Sequence, residues 1–221
     1  MSTILLLRSG VLALAALLFA GCAAQRYVPM AGQHVVRSKK SCMIVSAGER
    51  ASLAITFLEV RDGKARFIVS IANRTGAPLV VDPGQICASN ESGRDAKIFS
   101  AGEMQFQAAK RAGTMASTVE RRAVNQFVNQ FPPDGSCLEP VAERIDARAS
   151  DRLSMIGERL DKDLKETEKV LEPMAILPHK IHSSLLVTKV FREIRFHFTV
   201  ANEPHDAFFT VEKVRPKVKR R

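Results

Sequence analysis

The spacing of apolar residues along the chain changes from two to about 3.6 and back to two. From Ser41 to Ala88 it is two: Leu53, Ile55 and Phe57 alternate with Ala54 and Thr56, and Phe67, Val69 and Ile71 repeat the pattern. Successive strand side chains point to opposite faces, so this alternation predicts strands with one face on a core. Asp62-Gly63 separates the two runs, and this dipeptide suits a hairpin turn needing positive φ at both central positions. Asn73-Arg74-Thr75-Gly76 then reads as a turn, Leu79-Val80-Val81 as a third strand stopped by Asp82-Pro83-Gly84, and 86–88 as a short fourth.

At Ser100 the period lengthens. Ser100 with Glu103 three residues on forms a capping box, in which each side chain satisfies the other's free backbone N–H. Met104, Ala108, Ala112, Met115, Val119, Ala123, Phe127 and Phe131 recur at three- and four-residue steps, the stripe of an amphipathic helix, with Gly113 as a weak point. Phe131-Pro132-Pro133-Asp134-Gly135 ends it. Pro140 suits the first position of a second helix, whose stripe runs through Ile145, Ala149, Leu153, Ile156, Leu160, Leu164 and Leu171 to Pro173. Glu158–Lys162 and Asp161–Lys165 are spaced to pair on its wet side. Two such helices make a hairpin about 40 Å long. After Pro178 the period returns to two. Leu185 and Val187 form one strand, Ile194, Phe196, Phe198 and Val200 alternate with Glu193, Arg195, His197 and Thr199 in the next, and Phe209 and Val211 return the chain. The expected fold is α+β: an antiparallel β-sandwich built from residues 41–99 and 174–213, interrupted by a helical hairpin at 100–173 and followed by a basic tail, 214–221.

The first 22 residues carry a different message. A start with one basic residue, Arg8, leads into an apolar run from Val11 to Ala20. That run is about half the length a membrane-spanning helix needs and has the form of a secretory signal peptide. Leu18-Phe19-Ala20-Gly21-Cys22 resembles the bacterial lipobox, departing from it in having Phe19 where an aliphatic residue is usual. The resemblance implies removal of residues 1–21, lipidation of Cys22 and a lipoprotein held in the cell envelope. Ala23 stands where an Asp would retain such a protein at the inner membrane, so the implied address is the periplasmic face of the outer membrane. Residues 22–40 have polar, Gly and Pro character and are expected to be a tether.

Composition refines this picture. The formal net charge is +10, uneven along the chain. Arg37, Lys39 and Lys40 follow the anchor, and Lys213, Arg215, Lys217, Lys219, Arg220 and Arg221 crowd the end, where they suit contact with anionic lipid or a cell-wall polymer. Nucleic acid is not an expected partner: the compartment is wrong and no aromatic residues interleave the basic ones. With Cys22 committed to lipid, Cys42, Cys87 and Cys137 remain, in a compartment that permits disulfides. Cys42–Cys87 is the expected pair, because a straight hairpin carries Cys137 to its far tip; a bend at Gly113 would permit Cys87–Cys137 instead.

Catalytic and cofactor patterns do not stand out. His179 and His182 form H-x-x-H, with His197, Glu203, His205 and Asp206 later, but an odd spacing in an extended segment sends the two imidazoles to opposite faces. No nucleophile elbow, phosphate-binding loop or dinucleotide motif is present. Asp161 and Asp163 read as solvated helix charges. Asn73-Arg74-Thr75 and Asn90-Glu91-Ser92 match glycosylation sequons, which carry little meaning beside a lipobox. Leu177-Pro178, the following strand pairs and Glu203-Pro204-His205 before Phe208-Phe209 resemble bacterial envelope lipoproteins with immunoglobulin-like domains. This resemblance covers only the two β halves; it implies an immunoglobulin-like sandwich and assigns no functional residue. The expected protein is a membrane-anchored, non-enzymatic module, without cofactor or metal, that binds or supports another envelope protein. The alternatives are a bridge through the basic tail to anionic lipid or wall polymer, and an enzyme with an unusual site between hairpin and sandwich.

Overall fold

The computed structural model describes residues 24–37, 41–129 and 138–214. Cys22, Lys39, Lys40, Cys137 and the tail from Arg215 onward lie outside them. The protein is mixed α+β, with antiparallel sheets and two long helices.

Seven strands precede the helices: β1 (Ala24–Pro29), β2 (Val35–Arg37), β3 (Cys42–Ala47), β4 (Ala51–Arg61), β5 (Lys64–Asn73), β6 (Leu79–Val81) and β7 (Ile86–Asn90). Helices α1 (Ala101–Asn129) and α2 (Leu138–Thr167) follow, then β8 (Met174–Ile176), β9 (Ile181–Lys189), β10 (Glu193–Val200) and β11 (Glu203–Val214). One sheet has the order β1-β11-β10-β7, the other β2-β3-β4-β5-β9, and β6 pairs with β8 alone. The sheets face each other across a single core. Phe67 of β5 is fully buried, with ring centroids of Phe196, Phe209 and Tyr27 at 5.0, 5.1 and 5.4 Å. The alternating residues of β4, β5 and β10 point into this core as their period predicts.

The segment expected to be a tether is instead part of the fold. β1 pairs with β11 from Ala24↔Val214 to Pro29↔Phe209, and β2 pairs with β3. The reason is Tyr27. Its ring is 2 % exposed, and its hydroxyl donates to the Phe191 carbonyl (2.6 Å) and accepts from the Phe191 N–H (2.9 Å). A buried aromatic with a satisfied hydroxyl stabilises that short strand, although the surrounding composition is loop-like.

The Asp62-Gly63 turn forms as expected, with φ of 52° and 70° and Arg61 opposite Lys64. A bulge at Leu58 shifts the register of β4 between Phe57 and Glu59, bringing Glu59 opposite Arg66. The capping box also closes: the Ser100 N–H donates to Glu103 Oε2 (3.1 Å) and the Glu103 N–H to Ser100 Oγ (3.2 Å). α1 runs unbroken through Gly113.

The root of the helical hairpin packs on the outer face of the five-stranded sheet. Leu185 and Val187 of β9 join Phe99, Ala101, Met104 and Val170 in a second small core, while Leu186 faces the first. Both faces of β9 are therefore covered, and its burial runs continuously from Ser184 to Thr188. The strand expected at Leu185 and Val187 forms, and these two residues face the helices rather than the opposite sheet. α2 also starts two residues before Pro140 and ends at Thr167 rather than near Pro173. Its end is set by β9. The Leu171 N–H donates to the Leu185 carbonyl (2.9 Å) and the Leu185 N–H to the Lys169 carbonyl (2.6 Å), drawing the chain out of the helix.

Candidate functional site

The β4–β5 turn is wedged against the hairpin, and charge fixes it there. Arg61 donates from Nη1 to both oxygens of Glu166 (2.7 and 2.8 Å) and from Nη2 to Asp163 (2.6 Å). Arg66, its side chain 5 % exposed, bonds Glu166 as well and stands 3.6 Å from Glu59. On the other side Asp62 accepts from Arg111 of α1 (2.5 Å) and lies 3.4 Å from Arg159 of α2. Asp163, read from sequence as a solvent charge, is thus a partly buried member of this joint, with 11 % of its side chain exposed. The pairs Glu158–Lys162 and Asp161–Lys165 do not close to ion-pair distance.

The joint sets its own ionisation. The Arg111 hydrogen bond holds the Asp62 carboxyl below the ordinary aspartate value against the effect of burial, with the charges of Arg111, Arg159 and Arg61 adding to it. Burial pushes Glu166 up, but the hydrogen bonds and charges of Arg66 and Arg61 together outweigh it and hold the carboxyl low. Lys64 is the contrasting member. Burial, then the neighbouring Arg111, depress its ammonium; it bonds Gln107, lies 5.0 Å from the Phe99 ring centroid and has no carboxylate at ion-pair distance.

Beyond the joint the two helices run antiparallel with an open seam between them. Near the root a groove of about 540 Å³ is floored by Ala108, Ala112, Met115, Ile156 and Leu160. It continues toward the hairpin tip as a shallower groove of about 390 Å³ past Val119 and Met155, the two sharing Thr114, Met115, Ile156 and Arg159. Burial on α1 stops at Ala112, and Met155 is 68 % exposed. The rim is cationic. Lys64, Lys110, Arg111, Arg122, Arg152 and Arg159 line the groove against Asp62 and Asp163, both already engaged by arginines.

The other sequence candidates are scattered. Cys42 and Cys87 are both free, so the expected Cys42–Cys87 bridge is not formed. Cys42 shares the inward parity of Ile44 on β3, whereas Cys87 is exposed on the outer face of β7, opposite His197. Lys213 belongs to β11 and is paired with Gln25. His179 sits at φ 55° in the turn before β9, and His182 bonds Ser184 (2.8 Å). His197 pairs with Asp206 on the surface (2.7 Å). No three His, Cys, Asp or Glu side chains converge as a metal site among the described residues. The Asn73 side-chain amide donates to the Ala77 and Ile176 carbonyls (2.7 and 2.9 Å), which leaves that sequon closed.

Ser46, His205 and Glu203 do come together. Ser46 Oγ lies 2.9 Å from His205 Nδ1, and His205 Nε2 lies 3.9 Å from Glu203. The arrangement is structural. The Glu203 carboxylate accepts from the backbone N–H groups of Glu49, Arg50 and Ala51, clamping one turn onto another. The His205 side chain is 1 % exposed, which denies a substrate access to Nε2.

Sequence reading missed the groove, although one signal was present: Arg144, Arg148, Arg152 and Arg159 follow each other at four- and seven-residue steps along α2, a stripe rather than scattered solvation. No family model, curated protein or solved structure matches the chain.

Proposed function

We propose that the protein is a lipid-anchored envelope module, without catalytic activity, in which an immunoglobulin-like sandwich carries the α1–α2 hairpin and the hairpin docks another envelope protein. The observation that carries this reading is the open seam: an apolar floor with a cationic rim, held at its root by a partly buried ion-pair joint. A hairpin with no function beyond packing has no reason to leave Met155 68 % exposed beside a continuous groove.

The reading also says where docking occurs. Lys64 pairs with Lys189, Phe191 bonds Tyr27, and Ala24 pairs with Val214, so the β4–β5 turn and the start of β1 share one end of the sandwich. α1 passes Asp62 at Arg111 and continues to Asn129, about 27 Å further at 1.5 Å per residue. Cys22 is two residues from Ala24, at most about 7 Å of chain. An anchored protein therefore meets its partner close to the bilayer. A photo-cross-linker at Met155, used in intact cells, is expected to trap one defined envelope protein, identified by mass spectrometry, that is not trapped from Val80, exposed elsewhere (70 %). Identical products from both positions, or none from Met155, would refute docking at the hairpin.

The Ala24↔Val214 pairing favours a companion reading for the tail. Arg215 to Arg221 follow a residue paired beside the anchor, and seven residues reach at most about 25 Å. Anionic lipid of the same membrane is the nearer target than a distant wall polymer. Truncation after Val214 is expected to lower co-sedimentation with phosphatidylglycerol vesicles; unchanged binding would remove this contact.

A further inference from the structure

Resting on the docking reading, we infer that the occupant of the α1–α2 groove is an acidic amphipathic helix of the partner, seated as the third helix of a bundle. Shape comes first. The groove follows the seam from Gln107 to Arg122 on α1 and from Asp163 to Arg152 on α2, about 23 Å of helix at 1.5 Å per residue. Its floor combines Ala108, Ala112, Met115 and Val119 on α1 with Ile156 and Leu160 on α2. Ala108 and Ala112 at the root end let a helix approach at the 8–10 Å typical of packed helices, with ridges lying in the seam. A helix presenting apolar residues at i, i+3, i+4 and i+7 fits such a surface.

Charge then selects among helices. Arg111 and Arg159 are engaged by Asp62, but Lys110, Arg122 and Arg152 form no ion pair among the described residues, and Lys64 has no carboxylate at ion-pair distance. Three free cations line the rim, and a fourth lies desolvated at the root. Carboxylates flanking an apolar stripe would meet the first three in two rows, one toward Arg122 on α1 and one toward Arg152 on α2. The same rim argues against a second copy of this chain. An isologous two-fold contact through this face would set one cationic rim against another, and like charges held together disfavour the contact.

The test uses the full chain in nanodiscs of zwitterionic lipid, with empty discs as the blank. The probe is a fluorescein-labelled 18-residue synthetic helix with leucine on one stripe and glutamate flanking it; a second peptide carries lysine in place of glutamate. The glutamate peptide is expected to bind with an affinity that falls as salt is raised. The double charge reversal Arg122→Glu, Arg152→Glu should weaken it at least tenfold and turn preference toward the lysine peptide. Both positions are exposed, and circular dichroism checks that the variant keeps its helices. Equal binding of the two peptides, or binding indifferent to the reversal, overturns the inference. So does self-association of the chain, or binding of phosphatidylglycerol vesicles, that the reversal abolishes while neither peptide binds. If Met155 traps a protein partner in cells but the glutamate peptide has no preference, this inference falls and the docking reading stands. If Met155 traps nothing, the docking reading falls whatever the peptides do.

Discussion

Replacing Glu166 by Gln removes the centre of the joint between sandwich and hairpin. The carboxylate accepts twice from Arg61, at 2.7 and 2.8 Å, and once from Arg66. A glutamine keeps one acceptor and loses the charge. Arg66 is then left with Glu59 alone, at 3.6 Å and 46 % exposed, for a guanidinium whose Nε already has no partner. Stranding one member of a buried pair costs about 3–5 kcal/mol. Glu166 is itself 27 % exposed, so water compensates part of that, and a loss of about 2–3 kcal/mol is expected. The surface pair Arg195–Glu193, at 3.5 Å, is the control, and Glu193→Gln should cost under about 1 kcal/mol. Urea unfolding measures both. The chain has one tyrosine and no tryptophan, so fluorescence reports the buried Tyr27 without interference. The double variant Arg66→Leu, Glu166→Leu should recover part of the loss, because an apolar pair in place of a buried ion pair is often neutral. A loss for Glu166→Gln no larger than for Glu193→Gln would refute the joint as the hairpin's fixture.

Two further predictions concern the opposite end of the sandwich. A Cβ at Gly48 would overlap Glu203 Oε2 and stand 2.8 Å from the Ala51 carbonyl oxygen, so Gly48→Ala should destabilise by about 1–3 kcal/mol in the same urea series; a neutral result would show that Glu203 does not clamp this turn. Burial holds the His205 imidazole below its ordinary value despite Glu203 and Asp206. A depressed folded value means the contribution is complete above the unfolded value, about 6.5, and is lost as pH falls through the folded one. His205→Gln should flatten the pH dependence of stability in that window, and an unchanged slope would exclude His205 as its source. The carboxyls of Asp62, Glu166 and Glu203, all held low, add a separate loss beginning below about pH 4.5.

Much of the fold is legible in the sequence where one local rule decides. The Asp62-Gly63 turn, the Ser100–Glu103 cap and the alternation of Ile194, Phe196, Phe198 and Val200 each follow from backbone geometry plus one buried face. Legibility ends where two layers compete for the same residues. Leu185 and Val187 alternate like core residues, yet the layer they meet is the hairpin root, and period alone does not say which face is covered by what. β1 is hidden for a related reason. A single residue, Tyr27, anchors it, while the Gly, Pro and charge around it describe a loop. The site is harder still. Arg61, Asp62, Arg66, Asp163 and Glu166 come from a turn, a strand and a helix about 100 residues apart, and only the topology brings them together. Asp163 therefore looks the same as any solvated charge on a helix.

The joint and the groove share residues, so the proposed docking would be linked to stability. Arg111 bonds Asp62 of the sandwich while also lining the groove, and Arg159 does the same from α2. All the buried residues of α1, from Ala101 to Ala112, lie in its root-side half; further out, among the described residues, the seam is half-buried at best apart from Ile145 of α2. Stability along a hairpin falls with the burial that supports it, so the distal half is the less protected part, and it carries the groove's free arginines, Arg122 and Arg152. A third helix seated there would supply the missing apolar contact and the missing carboxylates together. The root stays fixed by Arg61 and Arg66 on Glu166, and the ordering of the outer half becomes part of the binding equilibrium. The five-stranded sheet thus holds the base of the hairpin through Arg66, which is buried, and Arg61, which is partly so.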